Sequence, residues 1–83
     1  MTDDFRSELI QCANDYLAGR TTFQALHTRA LQLAPEFDDD PIGRDIAGRI
    51  IAADIESATR TGNEREGFLR REVKNAVNAG MPL

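Results

Sequence analysis

Residues 40 to 59, DPIGRDIAGRIIAADIESAT, decide the fold. Asp40-Pro41 reads as an N-cap followed by proline at the first helical position, where the missing N–H costs nothing. The stretch then predicts a helix of about 20 residues, roughly 30 Å long at the usual rise. On a helical wheel Ile42, Ile46, Ala47, Ile50, Ile51, Ala53, Ile55 and Ala58 sweep more than half the circumference. Asp45, Arg49, Glu56 and Thr59 are left as a narrow polar side. A helix apolar that far round is expected to pack on two sides, which makes it the centre of a helical bundle.

Three more helices surround it. Residues 4 to 18 carry Phe5, Leu9, Ile10, Ala13, Tyr16 and Leu17 as one stripe, with Asp3 and Asp4 at the favourable positive end and Gly19 as a left-handed stop. Thr21-Thr22-Phe23-Gln24 has capping-box spacing and opens a second helix. Its stripe is Phe23, Leu26, Ala30 and Leu33, with Leu31 and Ala34 alongside, and Pro35 is expected to end it near Ala34. Only Gly19 and Arg20 separate the first helix from the second start, so the two are antiparallel or steeply crossed. Past the break at Thr61-Gly62, Asn63 and Glu66 form a capping-type start for a last helix to about Ala79. Phe68, Leu69, Val73, Ala76 and Val77 make its buried stripe, and Gly80-Met81-Pro82-Leu83 ends the chain. The expected fold is a single all-α domain over residues 1–83, a compact four-helix bundle.

With 83 residues the chain is one domain by length, and it can bury only about 60 to 65% of its unfolded surface. Hydrophobic residues make up 41%, with four Phe, one Tyr and no Trp, enough for a modest Leu, Ile and Ala core. One cysteine, Cys12, excludes an internal disulfide and a four-cysteine zinc site, and fits a reducing compartment. The acidic N-terminus lacks the basic and apolar regions of a signal peptide, and no stretch approaches about 18 uninterrupted apolar residues. A cytoplasmic protein without a membrane span is the expectation.

Formal charge is −4, unevenly spread: residues 1 to 59 hold eleven acids and five bases, residues 60 to 83 three acids and five bases. The densest acid is EFDDDPIGRD, residues 36 to 45, with five carboxylates and one arginine. Such a surface repels nucleic acid and anionic lipid and suits a basic protein partner. A calcium loop is excluded, because a start at Asp38 puts Ile42 at the fifth position and Arg49 at the twelfth. Helix capping by Asp40 and dipole stabilisation by its neighbours account for part of the run, but three consecutive aspartates repel one another. The excess is read as a docking face made by Glu36, Asp38, Asp39, Asp40 and Asp45.

No catalytic, metal or cofactor site is expected. His27 is the one histidine, and Cys12 lies inside a helix, away from an N-terminus that would activate it. Asp54 falls within the isoleucine arc and is expected to be partly buried and held by an arginine, His27 or the Tyr16 hydroxyl. Arg65, Arg70, Arg71 and Lys74 alternate with Glu64, Glu66 and Glu72 at spacings that let them pair along their own helix. The short AGRTT turn resembles that of a helix-turn-helix, but the following helix offers Arg29 as its one clear basic contact, too little for nucleic acid.

The stretch YLAGRTTFQALHTRA, residues 16 to 30, resembles the opening of small helical immunity proteins of the colicin D type, over about a fifth of the chain. In those proteins an aromatic or leucine pair ends the first helix, a short polar turn follows and an amphipathic helix begins. The resemblance implies an antitoxin: an acidic face that imitates a phosphate backbone and plugs the basic active site of a nuclease toxin. By position the plug here is the stretch holding Glu36, Asp38, Asp39, Asp40 and Asp45. A phage-type acidic inhibitor mimicking nucleic acid would share this chemistry, whereas a structural, self-associating bundle would form a homodimer through an exposed apolar stripe.

Overall fold

The structure is a computed structural model that describes the backbone of residues 2–80 and the side chains of residues 5–79. The elements are α1 (Thr2–Leu17), α2 (Phe23–Leu33), a 3-10 turn (Ala34–Phe37), α3 (Pro41–Glu56), a second 3-10 turn (Ser57–Thr59) and α4 (Gly62–Gly80). They form a four-helix, all-α bundle measuring 38 × 22 × 22 Å. The roles expected of Asp3, Asp4 and segment 81–83 lie outside the described side chains.

Cross-helix pairs set the directions. Glu8 meets Arg29, His27 meets Asp54, and Tyr16 meets Glu66, so each helix runs antiparallel to the neighbour it pairs with. Helix α3 packs most extensively on α4 and next on α2, and it meets α1 mainly across the diagonal. The core is Leu9, Ala13 and Tyr16 of α1, Phe23, Leu26, Ala30 and Leu33 of α2, Ile46, Ala47, Ile50 and Ala53 of α3, and Leu69, Val73, Ala76 and Val77 of α4, closed by Phe37.

The stops and starts have local causes. At the end of α1, Gly19 has φ 82°, and the Arg20 N–H reaches back to the Asp15 carbonyl at 2.8 Å, a Schellman closure that a residue with a Cβ resists. Thr22, not Thr21, caps α2: its hydroxyl accepts the Ala25 N–H at 3.2 Å, which puts Gln24 one residue too early to complete a capping box. Pro35 ends the α-helical ladder as expected, but the chain tightens into a 3-10 turn instead of leaving the bundle, since proline is tolerated in a first turn. Helix α4 starts at Gly62, with the Thr61 carbonyl accepting the Arg65 N–H, so Asn63 lies inside it and is not its cap.

Helix α3 is shorter and less enclosed than its sequence suggests. Its α-helical part ends at Glu56, and its buried face is Gly43, Ile46, Ala47, Ile50 and Ala53. Ile42 is 41% exposed and Ile55 69% exposed. Bundle geometry explains this: a helix with two flanking neighbours and one diagonal buries about half its circumference, so the ends of a wider apolar arc face water.

Gly43 marks the tightest approach. A Cβ there would stand 2.4 Å and 2.6 Å from two ring carbons of Phe37 and 2.9 Å from the Asp40 carboxylate. Phe37 is fully buried, so its ring cannot swing out to make room. Gly43→Ala is therefore expected to destabilise by about 1 to 3 kcal/mol through overpacking, despite alanine's better helix propensity. Denaturant unfolding checks this, and Gly43→Ala combined with Phe37→Leu should recover part of the loss.

Candidate partner-binding surface

The acidic stretch links α2 to α3 through the 3-10 turn, and its side chains divide between core and solvent. Glu36, Asp38 and Asp39 are exposed. Phe37 turns into the core, and Asp40 follows it, only 2% exposed. Asp40 accepts from Arg6 twice, Nε at 2.8 Å and Nη2 at 2.7 Å, and from the Gly43 N–H at 3.1 Å. The capping role read from the sequence is present. The docking role is not, because a carboxylate enclosed this way offers nothing to a partner, so Asp40 leaves the expected face.

That withdrawal also weakens the self-repulsion argument. Arg6 neutralises one of the three consecutive aspartates, so two, not three, face water as uncompensated charge. Asp45 is exposed but bound to Arg49 one turn on at 2.8 Å. Arg44 donates to the Asp38 carbonyl at 3.1 Å, which fixes a cation beside the acids. Among the described residues Glu36, Asp38 and Asp39 have no ion-pair partner, and these three are the strongest negative feature of the face. Phe37 was the residue the sequence reading missed, although a lone large aromatic set among acids carries its own signal, since exposing it forfeits a few kcal/mol of burial.

Asp54 projects between α2, α3 and α4. Its carboxylate lies 3.8 Å from His27 Nε2 and 3.6 Å from Arg65 Nη2, and its side chain is 40% exposed. It is thus partly buried, with His27 and an arginine as partners, but both separations exceed a hydrogen bond. Tyr16, the third candidate partner, instead donates to Glu66 at 3.2 Å, and burial together with that carboxylate pushes its hydroxyl up to about 12. Phe23, Gln24, His27, Asp54 and Arg65 line a cleft of about 320 Å³. Ser57, fully buried, ties its corner by donating to the Asp54 carbonyl at 2.9 Å and accepting from Arg65 Nε at 3.2 Å.

Cys12 is half-buried, and burial, then Asp15, pushes its thiol up, away from a reactive thiolate. Among the described residues no group of three His, Cys, Asp or Glu side chains could hold a metal ion, and no helix is long and apolar enough to cross a membrane. The basic residues of α4 depart from the expected pairing. Arg70 lies 3.7 Å from Glu66, but Arg65 reaches to α3, and Arg71 and Lys74 have no carboxylate partner among the described residues. Compared with known protein families, with curated proteins and with solved structures, the chain matches none.

Two outcomes are expected. The Arg6 guanidinium holds the Asp40 carboxyl below the usual carboxylate range, against the opposing effect of burial. A depressed folded pKa contributes stability that is complete above the unfolded value, about 4, and is lost as pH falls through the folded value. Asp40→Asn keeps the cap but removes the charge. It should lower stability at pH 7 by about 2 to 4 kcal/mol, with the gap to the parent protein narrowing as pH falls below about 4; urea unfolding across pH checks it. For Asp54, loose and half-exposed pairing limits the loss in Asp54→Ala to under about 1 kcal/mol, readable in the same assay.

Proposed function

We propose that the protein is an acidic binding and inhibitor module, an immunity-type protein that neutralises a nuclease toxin by occluding its basic active site. Glu36, Asp38 and Asp39, with Asp45 at the margin, make the contact. The observation that carries this reading is the presentation of three unpaired, exposed carboxylates on a segment anchored at Phe37 and Asp40. A segment whose backbone is already anchored in the core loses little freedom on binding, and complementarity of sign speeds encounter and excludes acidic competitors. A phosphate-like row of negative charge suits a site built to bind a nucleic-acid backbone.

The test begins with capture from the native host by the tagged protein and by a Glu36→Gln, Asp38→Asn, Asp39→Asn variant, with mass spectrometry of what each retains. A basic nuclease bound by the parent and lost by the variant is expected. With that partner, the variant should associate about tenfold or more slowly at low salt and show a flatter salt dependence, with its fold unchanged by circular dichroism. Equal rates and salt slopes for variant and parent would assign the carboxylates to solubility alone. A self-associating bundle is favoured instead by the exposure of Leu31 (50%) and Ile55 (69%). Sedimentation equilibrium separates the two, since the inhibitor reading expects a monomer whose mass does not change with concentration.

A further inference from the structure

We infer that the cleft between α1 and α4 is a binding site for a small organic anion, a carboxylate or phosphate monoester carried on an apolar body. The cleft measures about 520 Å³ and is lined by Asn14 and Leu17 of α1 and by Arg70, Lys74, Val77 and Asn78 of α4. Its chemistry is divided in the way such a ligand requires. Leu17 and Val77 form apolar walls, Asn14 and Asn78 bring amide donors and acceptors, and the two charged residues are both cations.

The cations differ in a useful way. The Arg70 guanidinium is held in place: Nη2 donates to the Leu17 carbonyl at the end of α1, Nη1 lies near Glu66, and the group sits 5.8 Å from the Tyr16 ring centre. Fixing the fork through some of its five N–H groups leaves the others pre-oriented, so an anion that accepts from them adds little ordering cost. Lys74, one turn further along the same edge, is exposed and has no carboxylate partner among the described residues. A fixed cation and a free one, both over apolar walls, suit a single anionic head group with a hydrocarbon tail.

The surroundings favour a small ligand over a polyanion. On a wheel of about 100° per residue, Gly67, Arg70, Arg71, Lys74, Asn75 and Asn78 share the outer side of α4. Three cations on a chain of net charge −4 are too few to hold a nucleic-acid backbone against that overall repulsion. A single anionic head group in the cleft meets two charged lining residues, Arg70 and Lys74, while Glu66, which pairs with Arg70, does not line it.

The experiment is an amide-resolved NMR titration of the whole chain with octanoate and, separately, octyl phosphate, with octanol and inorganic phosphate as half-ligand controls. Saturable shifts are expected at Asn14, Leu17, Lys74, Val77 and Asn78 with either amphiphilic anion, and the tighter of the two identifies the preferred head group. Each control should bind at least about tenfold more weakly, since each lacks one half of the recognition. Lys74→Gln should weaken binding by about tenfold, whereas Arg71→Gln, which removes the same charge outside the cleft, should change it less than about twofold. The inference fails if neither anion gives saturable shifts at millimolar concentration, if octanol binds as tightly as octanoate, or if Arg71→Gln and Lys74→Gln weaken binding equally.

Discussion

The carboxylate of Asp40 holds together what the four helices would otherwise leave loose. Two of its contacts come from Arg6 of α1, and a third from the Gly43 N–H in the first turn of α3. Helices α1 and α3 stand diagonally in the bundle, the positions that share the least side-chain packing, and this pair joins them. A bidentate arginine–carboxylate pair is directional as well as attractive, so it fixes how far α3 is rotated as well as its position. That rotation lays Phe37 across the bare backbone at Gly43. Pro41 sets the backbone angle at the helix start and removes a donor that would need a partner there.

Everything the acidic stretch offers to solvent depends on that arrangement. With Phe37 and Asp40 turned in, the residues between and before them must turn out, so Glu36, Asp38 and Asp39 are presented by the core's own demands. The same geometry tempers the charge. Arg6 cancels Asp40, Arg49 pairs with Asp45, and Arg44 is tethered at the Asp38 carbonyl. The result is a short row of three unpaired carboxylates beside a mixed-charge helix face, smaller and better defined than a count of acids along the chain implies.

The opposite polarity appears where α4 meets α1. Glu66 and Glu72 lie toward the borders of the buried face of α4, Glu66 beside Tyr16 and Glu72 close enough to α3 to act on Arg49. Arg65 reaches to α3, and Arg70, Arg71 and Lys74 are left on the outer side and along the α1 edge. Linear alternation of charge thus becomes spatial separation of charge once the helix is wound and one face is buried, because residues adjacent in sequence lie about 100° apart on the helix.

The sequence by itself determined the helices, most of their limits and three of the four buried stripes. Those features are local: Leu9, Leu26, Leu69 and Val73 recur with the helical period, Gly19 tolerates a left-handed turn, and Asp40-Pro41 is a helix start in any surroundings. Only the tertiary structure decided which of several acceptable options each remaining residue took. Ile42 and Ile55 fit the apolar arc of α3 as well as Ile50 does, but a bundle of four gives that helix too few neighbours to cover them all. Asp40 could cap α3 and still face water; it is buried because Arg6, 34 residues away in sequence, arrives to neutralise it. Phe37 continues the spacing of Phe23, Leu26, Ala30 and Leu33 past the break expected at Pro35, and its place in the core depends on Gly43 leaving room for the ring. Arg70 and Lys74 became one wall of a cleft because α1 ends beside them, with the Leu17 carbonyl in need of a donor. In each case the deciding partner lies on another helix, and its distance in sequence carries no signal until the chain is packed.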